Sequence, residues 1–161
     1  MSVGRIRGRM RLEVHSETGG VLGVRRAENI VLRQGAAAVA RLFAGADGAQ
    51  PITHVLVGFG TETVTAEATG LTGPSGDPLP PASALRSSVA PGDFTVVTDQ
   101  PDIVQVLVTS TFVPTVELAD VSEAGLLAGD TLYNQVVFEP ITLRVGQNVS
   151  FFWEIDFPFG R

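Results

Sequence analysis

Residues 5–14, RIRGRMRLEV, alternate without interruption. Ile6, Gly8, Met10, Leu12 and Val14 fall on one side of an extended chain. Arg5, Arg7, Arg9, Arg11 and Glu13 fall on the other, the two-residue period of a strand with one buried face. SETGG (16–20) reads as a glycine turn and residues 21–26 as a returning strand, so a basic hairpin is predicted over 5–26. After ENIVL, the run RQGAAAVARLFAG predicts the chain's one helix, over about 34–44, stopped by Gly45. PITHVLVGFG (51–60) is almost wholly apolar and β-branched, which predicts a strand buried on both faces and ended by a glycine bend.

The pattern then breaks. Residues 66–83, AEATGLTGPSGDPLPPAS, hold three glycines and four prolines and show no period. Loops of this length are uncommon in compact domains and tend to be arms or mobile segments. Strands are predicted again at 84–90, 93–98, 103–113, 131–138 and 148–157, and TVELADVSEAGLL (115–127) is mixed. About eight short strands and one helix predict a mainly β chain, a single domain over 1–161 built as a β-sandwich or jelly-roll-like barrel.

The last strand, NVSFFWEIDF, carries Val149, Phe151, Trp153, Ile155 and Phe157 on one face, with Asn148, Ser150, Glu154 and Asp156 on the other. Five large apolar residues facing one way predict the core side of a sandwich, since burying each is worth about 1.5–3 kcal/mol. Phe152 breaks the pattern. It stands on the polar face and is a candidate contact residue.

Charge adds a second feature. The net charge is −6, yet all eleven basic residues are arginine, and eight of them lie in residues 1–41 against three glutamates. That span is +5 and the rest of the chain −11. Arg5, Arg7, Arg9, Arg11, Arg25 and Arg26 are the candidate partner-binding residues, with Phe152. A row of arginines suits DNA phosphates or, through paired N–H donors, protein carboxylates. No aromatic residue interleaves with them as single-strand binding requires, which favours an acidic protein surface.

Motifs for chemistry are sparse. There is no cysteine and no lysine, hence no thiolate site and no P-loop. VGFGTET lacks the third glycine of a dinucleotide turn, and GPSGD lacks the nucleophile-elbow spacing. His15 and His54 stand far apart. Glu117, Asp120, Glu123 and Asp130 lie near one another but without EF-hand spacing. Neither catalytic nor metal residues are assigned, and no cofactor is implied. No run approaches the roughly 18 apolar residues of a membrane span, and the N-terminus lacks the apolar core of a signal peptide, so cytoplasmic synthesis is expected.

The order of segments resembles a group of small β-rich structural proteins from the virions of tailed bacteriophages. ENIVLRQGAAAVARLFAG is followed by ITHVLVGFGTETVTAEATGL, ALRSSV, VTSTFVPT, VSEAGLLAGDTLYNQVVFEPITL and VSFFWEIDF. The positions that carry the likeness include Asn29, Gly35, Ile52, Gly58, Gly60, Leu71, Arg86, Glu123, Gly125, Leu132, Phe138, Pro140 and Trp153. The likeness spans about residues 28–157 and leaves out the basic hairpin. It implies a virion component without catalysis, made in a bacterial host. It implies a capsid decoration protein bound to the major capsid protein, or alternatively a tail-fibre or baseplate module bound to tail proteins. A homo-oligomer such as a trimer is expected, with the hairpin docking on acidic patches and the 66–83 loop reaching neighbours. The rival readings are a small hydrolase and a carbohydrate-binding module, the latter needing exposed aromatics from among Tyr133, Phe94 and Phe152.

Overall fold

The computed structural model describes residues 5–160. Ten strands and one helix follow one another in the order β1 (Arg7–His15), β2 (Val21–Val31), α1 (Arg33–Phe43), β3 (His54–Gly58), β4 (Arg86–Ser88), β5 (Phe94–Val97), β6 (Ile103–Phe112), β7 (Leu118–Ala128), β8 (Thr131–Leu132), β9 (Asn134–Leu143) and β10 (Asn148–Pro158). Every pairing is antiparallel, and the strands run β4-β3-β7-β9-β2-β1-β10-β6-β5 in one curled sheet, with β8 beside β7. The single mainly β domain with one short helix is the architecture the hydrophobic pattern predicts.

The sheet folds onto itself because its middle joint is weak. β2 and β9 pair only at Ile30–Gln135 and Val31–Asn134 and then diverge. On one side lie β2, β1, β10, β6 and β5; on the other lie β9, β7, β3 and β4. Met10, Leu12 and Val14 from β1 pack with Val149, Phe151, Trp153 and Ile155 from β10, and face Val55, Val57, Val121, Leu126 and Val136 of the opposite layer. Trp153 is 1% exposed and Phe151 fully buried, so the closing strand presents a core face, as its alternation predicts.

The second layer is buried on both sides. Val55 and Val57 of β3 point into the main core, while Leu56 joins Leu127 and Leu132 in a second apolar cluster with Leu71 and Leu79. Those last two residues come from the 66–83 segment. That segment does not extend outward as expected; it lies folded back on the sheet. Leu79 N–H bonds to Leu71 O at 2.9 Å, Phe59 N–H to Thr72 O at 2.9 Å, and a Gly73–Asp77 turn closes its tip. Burial of its two leucines, in a stretch otherwise rich in glycine and proline, helps to seat it.

TVELADVSEAGLL, which shows no period, becomes most of β7. A strand covered on both faces has no polar alternation to show, and here the sequence carries two buried polar residues besides, Ser122 and Glu123. Helix α1 begins where Leu32 N–H reaches Tyr133 O at 3.0 Å. Gly35 then passes so close that a Cβ there would collide with the Tyr133 carbonyl.

Candidate docking face

The outward side of β2, β1, β10 and β6 is the surface on which the predicted contact residues meet. Register sets its composition. Arg7 lies opposite Asp156, Arg9 opposite Glu154, and Arg11 opposite Phe152, in the pairing of β1 with β10. On the other flank Arg9 lies opposite Glu28 and Arg11 opposite Arg26. Phe152 in turn lies opposite Thr109 of β6.

These neighbours pair. Arg9 donates to Glu154 through Nη2 at 2.7 Å and Nε at 3.1 Å, and its Nη2 is 3.6 Å from Asp156. The Glu154 hydrogen bonds, with the nearby charge of Asp156, hold the Arg9 guanidinium above its ordinary pKa. Asp156 also accepts from Gln105 Nε2 at 2.9 Å. Arg11 Nε lies 2.8 Å from Glu13 without hydrogen-bond geometry, and its guanidinium carbon stands 4.3 Å from the centre of the Phe152 ring. The ring, out of place on a polar face by its pattern, is there as a seat for that cation.

The expected basic stripe is therefore a balanced lattice. Arg7, Arg9, Arg11 and Arg26 share the face with Glu13, Glu28, Glu154 and Asp156. The positive excess counted along the first part of the chain is offset in space by acids of the last strand. Sequence reading missed these acids as members of the site because Arg9 and Glu154 are 145 residues apart.

Arg25 leaves the set altogether. It is in register with Leu12, on the core-facing side of β2. Its Nε donates to Glu139 O at 2.8 Å, Nη2 to Pro140 O at 3.1 Å and Nη1 to Val24 O at 2.9 Å. The side chain thus straps β2 to β9 where their backbones have separated. Arg5 is exposed just before β1. Arg26 is also exposed, and among the described residues no carboxylate pairs with it.

The other candidates disperse. Glu117 pairs with Arg144 at 3.0 Å, Asp120 is an exposed residue in the left-handed region at φ 59°, and Glu123 is buried. Among the described residues no group of three or more His, Asp or Glu side chains is disposed to hold a metal ion. His15 lies 3.4 Å from Glu13, whereas His54 shares a contact with Thr53 Oγ1 at 2.9 Å. Burial, with Arg86 nearby, lowers the His54 pKa. Tyr133 is buried with its hydroxyl pushed up to about 12, and so offers no exposed ring for a sugar. It lines an apolar hollow of about 170 Å³ under α1, with Val39, Leu42, Phe94 and Ile155 among its walls. None of the helices is long and apolar enough to cross a membrane, among the described residues.

No family model, curated protein or solved structure matches the chain.

Proposed function

We propose that the protein is a non-enzymatic structural component of a tailed-phage or phage-like particle, a capsid decoration protein bound to the major capsid protein. One observation carries this reading. Several of the positions that carry the resemblance to virion proteins are ones on which the fold depends. Gly58 and Gly60 have no Cβ because the Glu123 carboxylate occupies that space. Gly125 leaves room for Asn134 O and Leu132, and Gly35 for Tyr133 O. Trp153 fills the core. That these matching positions serve close approaches and core filling supports reading the likeness as one of architecture. Fold likeness alone does not give function; what ties the reading to docking is the charged outer face of β2, β1 and β10. Its basic hairpin, β1 with the first part of β2, lies outside the shared pattern and suits a contact particular to this chain.

The test is to locate the protein on purified particles, by fusing a small tag to its described C-terminal end and imaging the label. Label spread over the head supports decoration. Confinement to the tail would move the protein to a fibre or baseplate. A chain absent from every particle would end the virion reading and return attention to an enzyme.

A further inference from the structure

The outer face has one place where its charge pairing fails. Arg9 sits between Glu28 and Glu154, and Arg7 faces Asp156. Arg11 instead stands in register with Arg26, like charge opposite like charge across paired strands. Like charges directly opposite one another destabilise a sheet. Arg26 forms no ion pair and no hydrogen bond among the described residues, and Arg11 forms one lateral pair with Glu13. Phe152 holds the Arg11 guanidinium from below. Beside these groups lies an open hollow of about 500 Å³, walled by Arg9, Arg11, Arg26, Glu28, Phe152 and Glu154.

We propose that this hollow receives a single acidic side chain, an Asp or Glu projecting from the protein on which the chain docks. The proposal rests on the docking reading above and names the chemistry of the contact. A carboxylate placed between Arg11 and Arg26 turns a repulsive pair into two attractive ones, and planar guanidinium groups match its two oxygens. The flanking acids set the number. Glu13, Glu28 and Glu154 ring the spot, so a nucleic-acid backbone, which brings a phosphate every few ångströms, would run over carboxylates on either side. One negative charge fits where a line of them does not. Phe152, half-exposed at the hollow's edge, offers apolar contact to the residue next to the inserted acid.

The experiment uses the intact protein with its arginine Nε–H groups labelled with ¹⁵N. The probes are the capped peptides Ac-Gly-Glu-Gly-NH2 and Ac-Gly-Gln-Gly-NH2, and an oligothymidylate of eight nucleotides. The Glu peptide is expected to shift the Arg11 and Arg26 signals and leave Arg9 unmoved. Arg26→Ala is expected to weaken that binding by about tenfold or more, the loss of one charge-assisted contact, and Arg26→Lys by less. Equal response to the Gln peptide, or shifts shared evenly by all arginines, would overturn the proposal. Tighter binding of the oligonucleotide than of the Glu peptide would replace the acidic side chain with nucleic acid. On particles, Arg26→Ala protein retained as well as the wild type would sink the proposal while leaving the virion reading intact. If the wild type is on no particle, that reading fails, and the peptide titration still decides the hollow.

Discussion

The carboxylate of Glu123 accepts the backbone N–H of Thr72 at 2.5 Å, although the two residues are 51 apart in the chain. Its second oxygen accepts Gln135 Nε2 at 2.7 Å. The side chain is 1% exposed and sits against Gly58 and Gly60, whose missing side chains make its berth. Ser122 Oγ adds a hydrogen bond to Gly60 O at 2.6 Å. Adjacent polar residues of β7 therefore fasten the glycine bend after β3 and the folded-back 66–83 segment. Glu123→Ala leaves two inward donors without an acceptor, each costing about 1–3 kcal/mol. The expected loss is about 2–5 kcal/mol in urea unfolding, accompanied by faster proteolysis between residues 60 and 85. Glu123→Gln keeps an acceptor for Thr72 and is expected to cost less. An alanine variant of unchanged stability would show that the carboxylate is no fastener.

Gly35 offers a test in which two principles oppose each other. In a helix interior, Gly→Ala ordinarily gains up to about 1 kcal/mol. Here the added Cβ would meet the Tyr133 carbonyl carbon and oxygen, in the link between β8 and β9 that backbone hydrogen bonds to Leu126 and Leu32 hold in place. Gly35→Ala is expected to destabilise by about 1–3 kcal/mol or more. Ala40→Gly, at an exposed position of the same helix, is expected to cost about 1 kcal/mol by propensity alone. Thermal unfolding of the pair separates the effects, and a stabilised Gly35→Ala protein would refute the close approach.

These close approaches also mark the limit of what the chain's pattern discloses. β1 and β10 are plain in the sequence because each is wet on one face, and alternation records that directly. β7 is hidden because the 66–83 segment covers its outer side with Leu71 and Leu79, and no local pattern announces a cover that arrives from 50 residues away. The acids near residue 120 read as a cluster, but the chain sends Glu117 out to Arg144 and Glu123 in to Thr72. The candidate face was half legible. Arg7, Arg9, Arg11 and Phe152 take the side that alternation assigns them. Their partners Glu28, Glu154 and Asp156 come from register, which depends on which strands pair.

Adjacent arginines of β2 are expected to behave oppositely. Arg25 gives three nitrogens to backbone carbonyls of Val24, Glu139 and Pro140. Removing it loosens the joint between β2 and β9, so Arg25→Ala should cost about 1–3 kcal/mol. Arg26 touches no carboxylate and is exposed, so Arg26→Ala should change stability by no more than about 0.5 kcal/mol. Both variants lose one positive charge, which removes net charge as an explanation of any difference. Equal effects in chemical denaturation would contradict the strap.

The closing strand holds two neighbouring aromatics with different work, and substitution separates them. Trp153 is fully enclosed among core residues of both layers, so Trp153→Ala should cost about 3–5 kcal/mol and leave the chain poorly soluble. Phe152 lies on the outer face with the Arg11 guanidinium 4.3 Å from its centre. Phe152→Ala gives up that contact, worth about 0.5–1 kcal/mol at an exposed site, while the core stays filled. Trp153 is the only tryptophan, so both variants are compared by circular dichroism during urea unfolding. A Trp153→Ala protein within about 1 kcal/mol of the wild type would mean that the strand's apolar side is not the core of the sandwich. A Phe152→Ala protein that loses several kcal/mol would mean that the outer face is part of what holds the fold, and that its charged lattice cannot be altered to probe docking alone.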